Sequence, residues 1–182
     1  MTLRSSIADA ARRAYLGITR GTLISADDKP MMQELTIRDR FGQKKTNVEH
    51  WHPYGFTSVP NPPEKDKEAE VMIAYLGGDE SHPVVLSVAD RRYRPKDLKP
   101  GDIAQHDHRG NKTVMHKDGV THTSSQTITH NVVDGDGKVL STIVQHKDGK
   151  KITMTTKGGA SVELDGPNIT KKPGPGGKLF LG

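Results

Sequence analysis

A chain of 182 residues with 32% apolar and 4% aromatic side chains has less to bury than an ordinary globular domain of its length. It contains no cysteine, which excludes disulfides, thiolate metal sites and cysteine nucleophiles, and no apolar run reaches membrane-spanning length or follows Met1 as a secretory core would. The net charge of +5 permits a polyanionic partner, but the basic residues are scattered, and only Arg91-Arg92-Tyr93-Arg94 interleaves a basic cluster with an aromatic ring, so no nucleic-acid recognition is expected.

Residues 1–16, MTLRSSIADAARRAYL, read as a short amphipathic helix capped at Ser5 or Ser6, with Ile7, Ala10, Ala11 and Ala14 on one face. Such a segment either lies on its own domain or serves as a docking arm for a neighbour. From Gly17 onward five strands are expected, at Ile18–Ser25, Met31–Ile37, Thr46–Trp51, Val71–Leu76 and Val84–Val88. A turn at Ala26–Pro30, Gly42 and a Pro-rich loop at Pro60–Lys67 separate some of them. Five short strands in so short a span suit a small antiparallel barrel of the OB type over 17–95, because closure removes exposed sheet edges. Glu64, Asp66, Glu68 and Glu70 read as a solvated charged loop, and Pro95, Pro100 and Gly101 mark a domain boundary.

Residues 96–165 read differently. Ile152 and Met154 alternate with Lys151, Thr153 and Thr155, and Val162 and Leu164 alternate with Ser161, Glu163 and Asp165, the period of a half-buried strand. Turns are expected at Lys117-Asp118-Gly119, Asp134–Gly137, Lys147-Asp148-Gly149 and Lys157-Gly158-Gly159. Asp134 and Asp136 lack the further ligands of a calcium loop and suit a hairpin turn. His-Lys-Asp-Gly occurs at both 116–119 and 146–149, a spacing compatible with successive windings of a β-helix. Runs such as Thr121–Thr129 have β propensity but almost no apolar face, so a single copy could not offset the entropy of ordering its backbone. The segment should gain its burial from identical copies, as an intertwined β-needle. In the tail, 166–182, prolines and glycines stop the alternation, and Leu179-Phe180-Leu181 supplies an apolar apex.

The ordered set Pro53–Pro60, Val71–Asp79, Ser81–Val85, Ala89–Pro95 and Leu98–Asp102 resembles the baseplate assembly protein V family of Mu-like contractile-tailed phages, the central spike proteins. The resemblance covers roughly residues 15–110. It implies an OB-type domain followed by a trimeric β-helical needle that caps the tail tube and pierces the host outer membrane. It also implies a homotrimer, baseplate hub and tail tube partners, and residence in the virion baseplate after assembly in the host cytoplasm; the Leu179-Phe180-Leu181 apex would pack against its symmetry mates or be covered by a small tip-capping protein. Two histidine pairs, His50/His52 and His106/His108, have the i, i+2 spacing that shares one face of a strand. On a threefold axis such a pair would offer six nitrogens, suiting an iron-type ion, and His106/His108 is the candidate. Related spikes carry His-x-His near the tip, whereas no histidine follows His146 here. No nucleophile elbow, zinc-protease helix or phosphate loop is present, and an enzyme is not expected. The alternative readings are an OB-fold nucleic-acid-binding protein with an oligomerising β-tail, with Trp51, Tyr54 and Phe56 as stacking candidates, or the spike of a contractile secretion system.

Overall fold

The computed structural model describes residues 17–65 and 67–179. The expected N-terminal helix, together with Phe180 and Leu181 of the expected apex, lies outside the described residues. The chain divides into two units between Arg94 and Pro95.

The first unit is a closed barrel of β1 (Ile18–Asp27), β2 (Glu34–Arg38), β3 (Lys44–His50), β4 (Glu70–Tyr75) and β5 (Pro83–Ala89). The strand order is β1-β2-β3-β5-β4, closing on β1, with β3 and β5 parallel and every other pair antiparallel. That is the order of an OB-type barrel. Alternation puts Thr19, Gly21 and Leu23 of β1 inside, and Val71, Ile73 and Tyr75 of β4 inside, where they meet Leu35, Ile37, Val48 and Val85. Gly21 lets β1 approach its neighbours, since a Cβ there would stand 2.5 Å from the Arg38 carbonyl oxygen and 2.7 Å from Cδ1 of Ile73. A bulge lets β3 begin earlier than its apolar pattern does: the β2–β3 register shifts between Leu35 and Ile37, and Asn47 adopts φ 55° opposite. After β4, Gly77 (φ 65°) and Gly78 (φ 71°) make a left-handed turn, and Asp79 Oδ1 accepts from both the amide and the hydroxyl of Ser81.

The second unit contains two antiparallel meanders. One is three-stranded: β6 (Ile103–His106), β7 (Lys112–His116) and β8 (Gly119–Thr123). The other runs in order through β9 (Ile128–Val133), β10 (Val139–Gln145), β11 (Lys151–Thr156), β12 (Ser161–Asp165) and β13 (Asn168–Lys172). Residues 168–172 thus add a fifth strand where the sequence reading places an irregular tail; the break comes only at Pro173. Both His-Lys-Asp-Gly copies sit at tips of antiparallel hairpins, β7–β8 and β10–β11, not at corners of a winding within one chain. Hairpin strands need only a short loop, which these residues supply.

One turn recurs across both units. Asp39-Arg40-Phe41-Gly42-Gln43, Asp107-His108-Arg109-Gly110-Asn111 and Asp134-Gly135-Asp136-Gly137-Lys138 each place the fourth residue at φ 79–87°. In each, Asp Oδ1 accepts from the amides two and four residues on, and the Asp amide donates to the carbonyl four residues on. A carboxylate that ties the loop and a glycine at the left-handed position close the hairpin.

Candidate assembly surface

Among the described residues every buried hydrophobic side chain lies between Leu23 and Val85, in the barrel. The second unit has none. Its ladder registers nevertheless sort the five-stranded sheet into two faces. On one face, Ile128, Gln145, Ile152, Leu164 and Ile169 form a row across the strands, and His130, Ile143, Met154, Val162 and Lys171 form the next. Ile143, Met154 and Ile169 remain 39%, 45% and 67% exposed, so the described residues of the second unit leave this face open. The opposite face carries Thr142, Val144, Thr153, Thr155, Lys151 and Glu163. There Lys151 Nζ lies 2.8 Å from Glu163 Oε2, and the hydrogen bond from Lys151 holds the Glu163 carboxyl below the usual range. A sheet with one apolar face exposed is an interface waiting for a partner.

The histidine pairs fall out differently. His50 ends β3 and is buried; His52 follows it, with the ring centroids 3.9 Å apart. Gln33 Nε2 donates to Asp28 Oδ1 (2.7 Å) and to the Ser58 carbonyl (3.0 Å), which leaves Oε1 to accept from Nδ1–H of His50 at 2.8 Å. This network ties the β1–β2 loop to the loop after β3. Burial, and then the neighbouring His52, push the His50 pKa down to about 4. His106 ends β6, whereas His108 sits inside the Asp107–Asn111 turn, so the two do not share a strand face within one chain. Among the described residues no group of three or more His, Asp or Glu side chains is placed to hold a metal ion. Leu179 is 46% exposed.

Within the basic cluster at the end of the barrel, Arg91, Arg92 and Tyr93 engage their own chain, while Arg94 is exposed. Arg92 forks onto Asp90 (Nε–Oδ1 2.9 Å, Nη2–Oδ2 2.7 Å) and both terminal nitrogens reach the Pro62 carbonyl, while Tyr93 donates to Glu64 at 2.7 Å. The Arg92 hydrogen bonds hold the Asp90 carboxyl below its ordinary range. Arg91 pairs with Glu70 at 2.7 Å. The cluster therefore clamps the Pro-rich loop to the barrel's last strand, a role that neither its charge nor its spacing announces. The signals the sequence did offer were the single Gln33 before β2 and the Asp-x-x-Gly spacing repeated at 39, 107 and 134.

An OB-type barrel followed by antiparallel sheets with an open apolar face defines a two-part all-β protein. Residues 20–92 match the family described as Bacteriophage Mu Gp45, N-terminal. The chain is 33% identical over 108 residues to the baseplate puncturing device gp45 of Escherichia phage Mu, a match covering 59% of this chain and 52% of that protein. It is 28% identical over 123 residues to the Mu-like prophage FluMu protein gp45 of Haemophilus influenzae, covering 68% of this chain and 64% of that one. The aligned region thus spans between half and two thirds of each relative. Through its barrel the chain is similar to the N-terminal region of the Bacteriophage Mu Gp45 family. The Gly77-Gly78-Asp79 and Asp90–Arg94 segments that carry the resemblance are the left-handed turn and the loop clamp described above.

Proposed function

We propose that the chain is the central spike of a contractile phage tail, resident in the virion baseplate. Three copies pack the apolar faces of their second units into a needle, and sheath contraction drives that needle through the host outer membrane. The barrel caps the tail tube and meets the baseplate hub, and a small separate protein covers the apex around Leu179. The observation that carries this reading is the apolar face of half-buried Ile128, Ile152 and Leu164 with exposed Ile143, Met154 and Ile169, in a unit that has no buried hydrophobic side chain among its described residues. Identical copies supply a face of matching chemistry and the same strand spacing, and closed symmetry hides it completely. Similarity to a protein named a baseplate puncturing device supports the setting. The mechanism is mechanical: burial shared among chains makes unfolding slow, which suits a part used once under load. An iron-type ion held by His106 and His108 of several copies belongs to the same proposal, since only the assembly could bring enough imidazoles together.

The mass of the purified protein tests it, native and after mild heating in detergent. Three times the 19.9 kDa chain mass, persisting in detergent, is the expected result, and metal analysis of that sample decides the iron. A monomer in native conditions overturns the needle.

A further inference from the structure

We propose that Gln145 sets the register in which copies of the needle pack. The inference rests on the reading that the apolar faces meet. On that face the three central strands present Ser141, Ile143 and Gln145 from β10, Ile152, Met154 and Thr156 from β11, and Val162 and Leu164 from β12. Gln145 stands opposite Ile152 on one side and Ile128 on the other, so its row is otherwise apolar. The other polar groups have ready outlets. His130 and Lys171 lie on the edge strands β9 and β13, and the Thr156 hydroxyl donates to the Ala160 carbonyl. Among the described residues nothing bonds the Gln145 amide.

Once copies cover the face, that amide must find a partner or cost the free energy of an unpaired buried polar group. Its own row offers none. In the in-register, closed arrangement identical residues stand at the same height about the axis, and a primary amide both donates and accepts, so there Gln145 meets its own counterparts. Alternation by itself does not fix the register: a slip of two residues keeps every apolar side chain on the inner face. The slip does, however, set Gln145 against Ile143 of the neighbouring copy and orphans the amide. The residue acts as a lone polar group does in a coiled-coil seam, selecting one alignment among several of similar burial.

The cysteine-free chain makes the test direct. Chains carrying Met154→Cys and chains carrying Ile152→Cys are mixed during refolding, oxidised, and scored for like and unlike disulfides. With Gln145 present, like pairs exceed unlike pairs roughly tenfold or more, the ratio an orphaned amide implies. With Gln145→Leu the oligomer mass is unchanged and the ratio collapses towards unity, while Gln145→Asn restores the preference for like pairs. An unchanged ratio in Gln145→Leu overturns the proposal. So does a Gln145→Leu chain that no longer assembles, because the amide would then supply affinity rather than register. A parental chain that is monomeric before any cysteine is introduced defeats instead the needle reading beneath it.

Discussion

The two units of this chain solve the same problem in opposite ways. In the barrel, strand alternation points Leu23, Leu35, Ile37, Val71 and Ile73 into a closed interior, so a single copy removes them from water. In the second unit, equally regular alternation points Ile143, Ile152, Met154 and Leu164 at an open face. The barrel's five strands join their own edges, whereas β9 and β13 leave theirs free. Alternation therefore says which side chains want burial, and topology says whether one chain can provide it. If copies cover that open face as proposed, the barrel is stable at any concentration while the stability of the second unit depends on mass action.

The largest effects should come from substitutions that break one half and spare the other. Met154→Asp puts a charge in the middle of the open face and is expected to reduce the oligomer to 19.9 kDa monomers while the barrel transition stays where it was. Ile73→Ala in the fully buried barrel core should do the reverse, costing the barrel about 2–5 kcal/mol with the oligomer retained. Sedimentation and urea titration followed separately through Trp51, the chain's one tryptophan, distinguish the two. If Met154→Asp also melts the barrel, the units are not independent and the contrast fails.

A smaller effect separates the halves by pH. His50 is buried, its pKa lowered from 6.5 to about 4 by burial and by His52, so the folded barrel refuses a proton that the unfolded chain accepts. Barrel stability is then complete above pH 6.5 and is lost as the pH falls towards 4, by about 3 kcal/mol. His50→Gln should flatten that slope. A barrel whose denaturation midpoint is the same at pH 7 and pH 4 would show that burial beside His52 does not hold the ring neutral.

The barrel was legible because its apolar residues alternate in runs bounded by Gly and Pro, as in Val71–Tyr75 and Val84–Val88. Where strand ends moved, an identifiable irregularity was the cause. β3 begins at Lys44, ahead of any apolar signal, because the bulge at Asn47 resets which side chains face inward. β13 was hidden because Asn168-Ile169-Thr170-Lys171-Lys172 has a single apolar residue; ladder pairing with β12, not burial, makes it a strand. His106 and His108 looked like a strand pair because spacing alone cannot tell a strand from an Asp-x-x-Gly turn whose Asp lies between them. The Gln33–His50 network could not be read at all, since its members, seventeen residues apart, meet only once the bulged β2–β3 hairpin sets Gln33 opposite His50.

The least consequential change should lie on the needle's polar face. Lys151 and Glu163 are partly exposed there, cross-strand neighbours of the ladder's next row, and their ion pair faces solvent. Each loses side-chain freedom to hold the contact, and salt screens it, so Lys151→Ala should leave both the oligomer and its thermal transition unchanged at roughly physiological ionic strength. The size of that effect decides what kind of needle the copies make. Three sheets that bury only the Ile152–Leu164 face leave Lys151 in water and predict silence. A fully intertwined winding that also covers the threonine face would bury the pair, and removing one partner would leave a charge stranded in the interior. A clear fall in the oligomer's melting temperature on Lys151→Ala, restored by the double change with Glu163→Ala, would therefore overturn the one-sided face. It would show both faces of the sheet enclosed by neighbouring chains.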